Sequence, residues 1–222
     1  MARPRRIIKA GIAYHLLNRA NGRLRIFRKD KDFEAFEAIL AEAINRFNVR
    51  VTAYCIMGNH WHMLAWPQFD DQLPAFMKWL TVTHTQRWHG AHGTAGMGHV
   101  YQGRYKSFPV DSDSHYLTVM RYIESNPLRA KIVTRSQQWP WSSLAIRNGK
   151  QSDILISNGP VELPSRWNRL VNLGIKENQR EEIEKCIKRG CPFGEKTWAN
   201  KTAAILNLES TQRPRGRPKK GV

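Results

Sequence analysis

Apolar positions recur along residues 30–47 at steps of three and four: Phe33, Phe36, Ile39, Leu40, Ala43, Ile44 and Phe47. This spacing draws one apolar stripe down a helix, and Asp30 or Asp32 can cap its start. Residues 11–19 have the apolar and aromatic content of a strand, followed by an Asn21-Gly22 turn. Residues 49–57 alternate and are rich in β-branched side chains, and residues 60–66 (HWHMLAW) form a second strand after Gly58-Asn59. So short a turn makes the two a hairpin. Residues 74–89 read as another helix, with Phe76, Trp79, Leu80 and Val82 as core candidates, and residues 90–99 as a glycine-rich loop. A strand over 100–110 and a helix over 111–125 complete the set. Pro127 ends that helix, because the residue before a proline disfavours helical geometry.

The order β-α-β-β-α-β-α predicts an α+β fold, an antiparallel sheet with helices on one face. This main domain covers residues 1–145, opening with a flexible basic arm over 1–11 and closing on an ordered Trp139-Pro140-Trp141-Ser142-Ser143 turn. Residues 146–165 read as a linker. Helical patterns at 178–189 and 196–206 suggest a small helical module over 166–209. The Pro/Gly/basic segment 210–222 is expected to be a disordered tail.

Charge changes the picture more than composition does. The formal net charge is +18 over 222 residues, of which residues 1–31 carry +9 and residues 210–222 carry +5, leaving +4 for the body between them. Basic ends on a near-neutral body point to a polyanion held by counterion release, nucleic acid before an anionic membrane. No apolar run approaches a membrane span, and no secretory signal is evident. Three cysteines, Cys55, Cys186 and Cys191, cannot all pair and read as reduced thiols in a cytoplasmic protein.

The sharpest chemical motif is Gly58-Asn59-His60-Trp61-His62-Met63-Leu64. Alternation on a strand turns His60 and His62 to one face, where two imidazoles can share a divalent ion. An isolated pair of this kind also reads as polar residues on a wet sheet face. Tyr122 and Asn126 stand four apart on the 111–125 pattern, so a phenol and an amide oxygen project together. Taken alone, that pair is also a half-buried tyrosine and a helix-ending asparagine. As a set, the four suit phosphodiester chemistry: an oxygen nucleophile, and a metal site of His60, His62 and Asn126 that neutralises phosphate charge. Arg104, Lys106, Arg121, Arg129 and Lys131 lie close in sequence as DNA-binding cations.

With GNHWHML, GRYKSFPV at 103–110, HYLTVMRYIESNPLRAKIV at 115–133 and WPWSS at 139–143, the chain resembles the REP-associated tyrosine transposases of bacteria, a group of single-tyrosine HUH transposases. The resemblance spans residues 7–145. It implies a ferredoxin-like fold, with His60 and His62 as metal ligands for Mg²⁺ or Mn²⁺. It also implies that Tyr122 takes a 5′-phosphate and leaves a free 3′-OH. Asn126 matches a position where insertion-sequence relatives carry a glutamine ligand, one methylene longer. The implied partner is single-stranded or hairpin DNA at repetitive extragenic palindromes, and the implied setting is the bacterial nucleoid. Both a monomer and a homodimer are compatible with it.

Other features carry less. Tyr116 is a rival nucleophile on a different helix face. His15, His84, His89, His92, His99 and His115 are scattered. Arg213, Arg215 and Arg217 approach an AT-hook, whose arginines enter a narrow minor groove, though a plain basic tail has the same composition. A non-catalytic DNA-binding regulator of palindromes and a water-activating metal hydrolase remain as alternatives.

Overall fold

Four strands pair into one antiparallel sheet in the order β2-β3-β1-β4. They are β1 (Ala13–Arg19), β2 (Arg50–Met57), β3 (His60–Trp66) and β4 (Lys106–Val110). The computed structural model describes residues 6–213. Two long helices follow their sequence patterns: α1 (Asp30–Phe47) after β1 and α2 (Gln72–His92) after β3. The Asp32 carboxylate accepts from the Arg28 and Lys29 amides at 2.8 and 3.0 Å, satisfying groups exposed at the start of α1. Gly93 ends α2 in the left-handed region at φ 62°, which costs a residue without Cβ nothing.

Side-chain alternation divides the core into two clusters. Tyr14 and Leu16, Tyr54 and Ile56, and Trp61 and Met63 face α1 and α2, meeting Phe36, Leu40, Phe76 and Leu80. This sheet with two helices on one face is the expected ferredoxin-like arrangement. Ala13, Ala53, Cys55, Leu64, Phe108 and Val110 face the other way. There they meet α3 (Ser114–Glu124), which supplies Tyr116, Val119, Met120 and Ile123. The helix following β4 therefore covers the second face of the sheet.

Residues 166–209 complete that second cluster. They form α6 (Trp167–Asn172), α7 (Glu177–Arg189) and α8 (Lys196–Ile205), after the short α4 (Asn126–Arg129) and α5 (Ser143–Arg147). Trp167, Val171, Ile183 and Cys186 join the apolar cluster beneath α3. Glu124 is fully buried and ties these pieces together: it accepts from Ser143 Oγ at 2.6 Å and Trp167 Nε1 at 2.7 Å, with Arg147 at 3.5 Å. Of the expected linker over 146–165, residues 146 and 147 belong to α5 and residues 148–165 are irregular but anchored, with Ile154 buried and the Ser157 amide bonded to Val51 O at 2.9 Å.

Several boundaries differ from the sequence expectation, α2 running to His92 into the loop expected over 90–99. The strand expected over 100–110 pairs regularly only from Lys106, opposite Leu17, although β1 runs on to Arg19, because Tyr101 is drawn into the core by Trp61 Nε1 and His84 Nδ1. Before that, Tyr101 makes a single bridge to Ala20. The helix expected over 111–125 begins at Ser114, since Asp113 caps it by accepting from the His115 amide at 2.7 Å. Pro127 sits in the first turn of α4, where a missing amide proton costs no bond. In the basic arm, residues 6–11 lie on the body: Ile8 is buried, and Lys9 and Ala10 bond to Asp70. Residues 1–5 fall outside the described range. Of the tail, residues Glu209–Gln212 form α9, Arg213 is exposed, and 214–222 lie outside the described range. Trp139 and Trp141 pack at their turn, Trp139 Nε1 donating to Ile56 O at 2.9 Å and Trp141 stacking on Phe33. No helix among the described residues is long and apolar enough to cross a membrane.

Candidate active site

β3 turns His60 and His62 onto the sheet face that α3 covers, while Trp61 and Met63 enter the opposite core. The register sets Leu17 opposite both His62 and Lys106, so β1, β3 and β4 all contribute to this patch. Tyr122, in the last turn of α3, comes down on it. Its ring lies edge-on to His62 at 5.7 Å and to His15 at 6.3 Å between centroids. Asn126 follows at the start of α4. His60, His62, Tyr122 and Asn126 line one cavity of about 650 Å³, with Arg19, Arg104 and Lys106 around it and Glu184 and Lys188 of α7 forming a wall.

Each histidine of the pair uses one ring nitrogen inside the protein. His60 Nδ1 is 2.6 Å from Asn59 Oδ1, and His62 Nδ1 is 2.9 Å from His15 Nε2. Neither Nε2 has a protein hydrogen-bond partner among the described residues. Burial holds both rings neutral: it drives His60 down to about 4, helped by Arg19 and Arg129, and His62 well below the usual imidazole range, helped by His15 and His60. A neutral imidazole is a metal donor through whichever ring nitrogen carries no proton. Asn126 is buried and its Nδ2 has no protein partner. Amide oxygen and nitrogen are interchangeable in such an assignment, so the group can present a carbonyl. Two imidazoles and an amide oxygen lining one cavity are donors of the kind that could share a divalent ion.

The phenol of Tyr122 is pushed up from its ordinary value by burial, and Arg129 opposes this most strongly. The guanidinium lies 4.0 Å above the tyrosine ring, fixed by donating to Tyr122 O at 2.6 Å and Ser125 Oγ at 3.1 Å. Glu184 pushes the phenol up, and Arg180 and Arg19 pull it down. Tyr116 is elsewhere: fully buried, it donates to Thr52 Oγ1 at 2.5 Å.

The expected cations separate. Arg104 and Lys106 line the cavity, and Arg129 supports Tyr122. Arg121 turns away and donates to the carbonyls of Leu170, at 3.2 Å, and Gly174. Lys131 is exposed on the turn after α4, outside the cavity lining. Arg213 is exposed, its carbonyl accepting from Arg189, and Arg215 and Arg217 lie outside the described residues. His15, Arg19, Glu184 and Lys188 were not singled out for the site by sequence. Alternation along 15-17-19 could have suggested the first two, but nothing local marks α7.

A second group could also hold a divalent cation: Asp111, Asp113 and His115, whose ligand atoms lie within 4.8 Å of one another. It occupies the far end of α3, where Asp113 already caps the helix and sits 2.9 Å from His115 Nδ1. Nine helical residues put it roughly 13 Å along the axis from Tyr122, too far to act on the same phosphate.

Residues 9–126, more than half of the chain, match a family model described as IS200-like transposase. A solved structure of a REP-associated tyrosine transposase bound to a REP hairpin aligns over 71% of this chain and 94% of its own, with 18% identity and a TM-score of 0.53. A crystal structure of a candidate transposase from Deinococcus radiodurans R1 aligns over 68% of this chain and 100% of its own, at 18% identity and a TM-score of 0.40. No curated protein matches.

Proposed function

The chain belongs to the IS200-like transposase family, and we propose that it is a metal-dependent endonuclease and strand transferase for single-stranded or hairpin DNA, with Tyr122 as nucleophile. The observation that carries this is the convergence of Tyr122, His60, His62 and Asn126 on one cavity rimmed by Arg19, Arg104, Lys106 and Lys188. The hairpin in the related solved structure favours a REP-type substrate.

In the reaction, Tyr122 Oη forms a bond to the scissile phosphorus as the P–O3′ bond breaks. The phenol gives up its proton, the 3′-oxygen takes one up, and a 5′-phosphotyrosine remains. The linkage keeps the energy of the broken ester, so a second 3′-OH can reverse the step and join a new strand. Arg129, stacked on the ring, favours the phenolate. Lys106 and Arg104 hold backbone phosphates at the rim. His60, His62 and Asn126 hold the divalent ion, which neutralises charge on the phosphate oxygens when bound.

The test is incubation of REP-hairpin DNA, labelled at either end, with Mg²⁺ or Mn²⁺, followed by a denaturing gel. The 3′-terminal label should migrate with the protein and the 5′-terminal label as a free fragment. Tyr122→Phe should abolish the adduct, and Tyr116→Phe should retain it. DNA binding without any adduct in the wild type would leave a DNA-binding regulator instead. Cleavage with no adduct would leave a water-activating hydrolase.

A further inference from the structure

His62 reaches the cavity with the help of a third histidine that the mechanism has not used. His15 lies on β1, completely buried, with Nε2 2.9 Å from His62 Nδ1. Its ring is fixed against Phe108 at 4.8 Å between centroids. We infer that His15 is a positioning residue for the metal site, accepting the His62 Nδ1 proton so that His62 Nε2 presents a lone pair to the cavity. The inference rests on the metal-site reading above.

A neutral imidazole carries one proton, and the bond made by one nitrogen decides the state of the other. His60 is settled by an acceptor: Asn59 Nδ2 donates to Arg23 O at 3.3 Å, which turns Asn59 Oδ1 toward His60 Nδ1. His60 Nε2 is then a lone pair. His62 faces a partner that can either donate or accept. If His15 donates, the His62 proton moves to Nε2 and the ring cannot ligate. If His15 accepts, His62 Nε2 is free and the His15 proton lies on Nδ1, which is buried with no protein partner. Only the second arrangement binds an ion, so His15 couples the tautomer of His62 to metal occupancy.

Binding of Mn²⁺ alone to the DNA-free protein, followed by loss of the free-ion EPR signal, tests this. His15→Leu removes the acceptor and should weaken Mn²⁺ binding about 10- to 100-fold, the usual range for lost outer partners of metal ligands. His15→Gln places an amide oxygen where Nε2 stood and should recover most of that loss, whereas His15→Asn, one methylene shorter, should not. With Mg²⁺ bound, ¹⁵N NMR should find the His62 proton on Nδ1 in the wild type and in His15→Gln. Equal weakening in the Leu and Gln variants would overturn the inference, since packing alone would explain both. Wild-type affinity in His15→Leu, with binding lost in His60→Ala, would also overturn it while sparing the metal site. Unchanged binding in His60→Ala would remove the metal-site reading, and the inference with it.

Discussion

Arg129→Gln should slow DNA cleavage about 10-fold at neutral pH, with the deficit closing as the solution becomes alkaline. The guanidinium carbon sits 4.0 Å above the Tyr122 ring. That places the charge roughly 5 Å from the phenolic oxygen, where Coulomb's law gives about 3 kcal/mol at an effective dielectric near 20. Arg129 is partly exposed and the cavity opens to solvent. Screening reduces the figure to roughly 1.5 kcal/mol, or about 10-fold in the phenolate population. The sign follows from the geometry. Arg129 favours the charged phenolate, so its loss raises the phenol further. Below the phenol's titration the rate falls by a constant factor, and above it the variants converge. Single-turnover cleavage of a labelled hairpin oligonucleotide from about pH 6 to about pH 10 reads the constant-factor limb, and because burial holds the phenol above its ordinary value the convergence is read only in points beyond about pH 10. Arg129→Lys keeps the charge and should stay much closer to wild type. The reasoning fails if Arg129→Gln leaves the pH profile superimposable on wild type and instead weakens DNA binding with a shallower salt dependence. That outcome would make Arg129 a phosphate contact.

Glu184→Gln should act in the opposite sense, speeding cleavage at neutral pH by a few-fold at most, because this carboxylate pushes the phenol up but is half exposed and shared with Arg180 at 3.8 Å; a slower variant would count against the α7 wall as an electrostatic element. Acid should destabilise the metal-free protein: burial holds His15 and His84 at about 3 and His60 at about 4, so between about pH 6.5 and about pH 4 the unfolded chain binds protons that the folded one refuses. At about 1.4 kcal/mol per histidine per pH unit, these three cost roughly 6 kcal/mol by pH 5, comparable to the whole folding free energy. Thermal melts at the two pH values check this, and His84→Asn, which can still accept from the Tyr101 hydroxyl in place of the 2.8 Å bond to Nδ1, should remove about a third of the loss. Deleting residues 214–222 removes Arg215, Arg217, Lys219 and Lys220. The slope of log affinity against log salt should then fall by up to about 3 for single-stranded DNA, and an unchanged slope would show that the tail does not touch it.

The architecture was legible because its periods are local. The apolar stripe of residues 30–47 became α1 over Asp30–Phe47, and HWHMLAW became β3 over His60–Trp66. Residues 100–105 misled because Val100, Tyr101 and Tyr105 have strand-like content yet are held by other contacts. Tyr101 accepts from Trp61 Nε1 at 3.0 Å and lies 2.8 Å from His84 Nδ1, so its side chain is committed to the core between β3 and α2. Tertiary contacts, not ladder pairing, placed that segment. The pattern at 178–189 correctly gave a helix, α7 over Glu177–Arg189. Only Ile183 and Cys186 are buried on it, which is too small a stripe to say that its other side would wall the cavity.

The same distinction governs the site. His60 and His62 are two apart on a strand, and Tyr122 and Asn126 four apart around a helix end, so local geometry alone groups each pair. His15 could not be joined to them that way. Its place depends on pairing across 47 positions of sequence, with Leu17 set opposite His62. A one-residue slip in that register would turn His15 into the α1–α2 core and leave His62 without its partner. Arg129 is masked differently: seven residues after Tyr122, it would share its face on an unbroken helix. The chain instead leaves the helix at Ser125 and restarts at Asn126 before Pro127, and the guanidinium returns to the tyrosine through Tyr122 O and Ser125 Oγ. Groups that meet a substrate must be polar where the element's pattern is apolar, so they stand out in sequence. Groups that set the protonation and orientation of those residues lie behind or beside them, where a buried histidine looks like ordinary filling and an arginine over a tyrosine ring reads as one more DNA-facing cation. Their roles follow from strand register and helix breaks, and these are decided only when the chain folds.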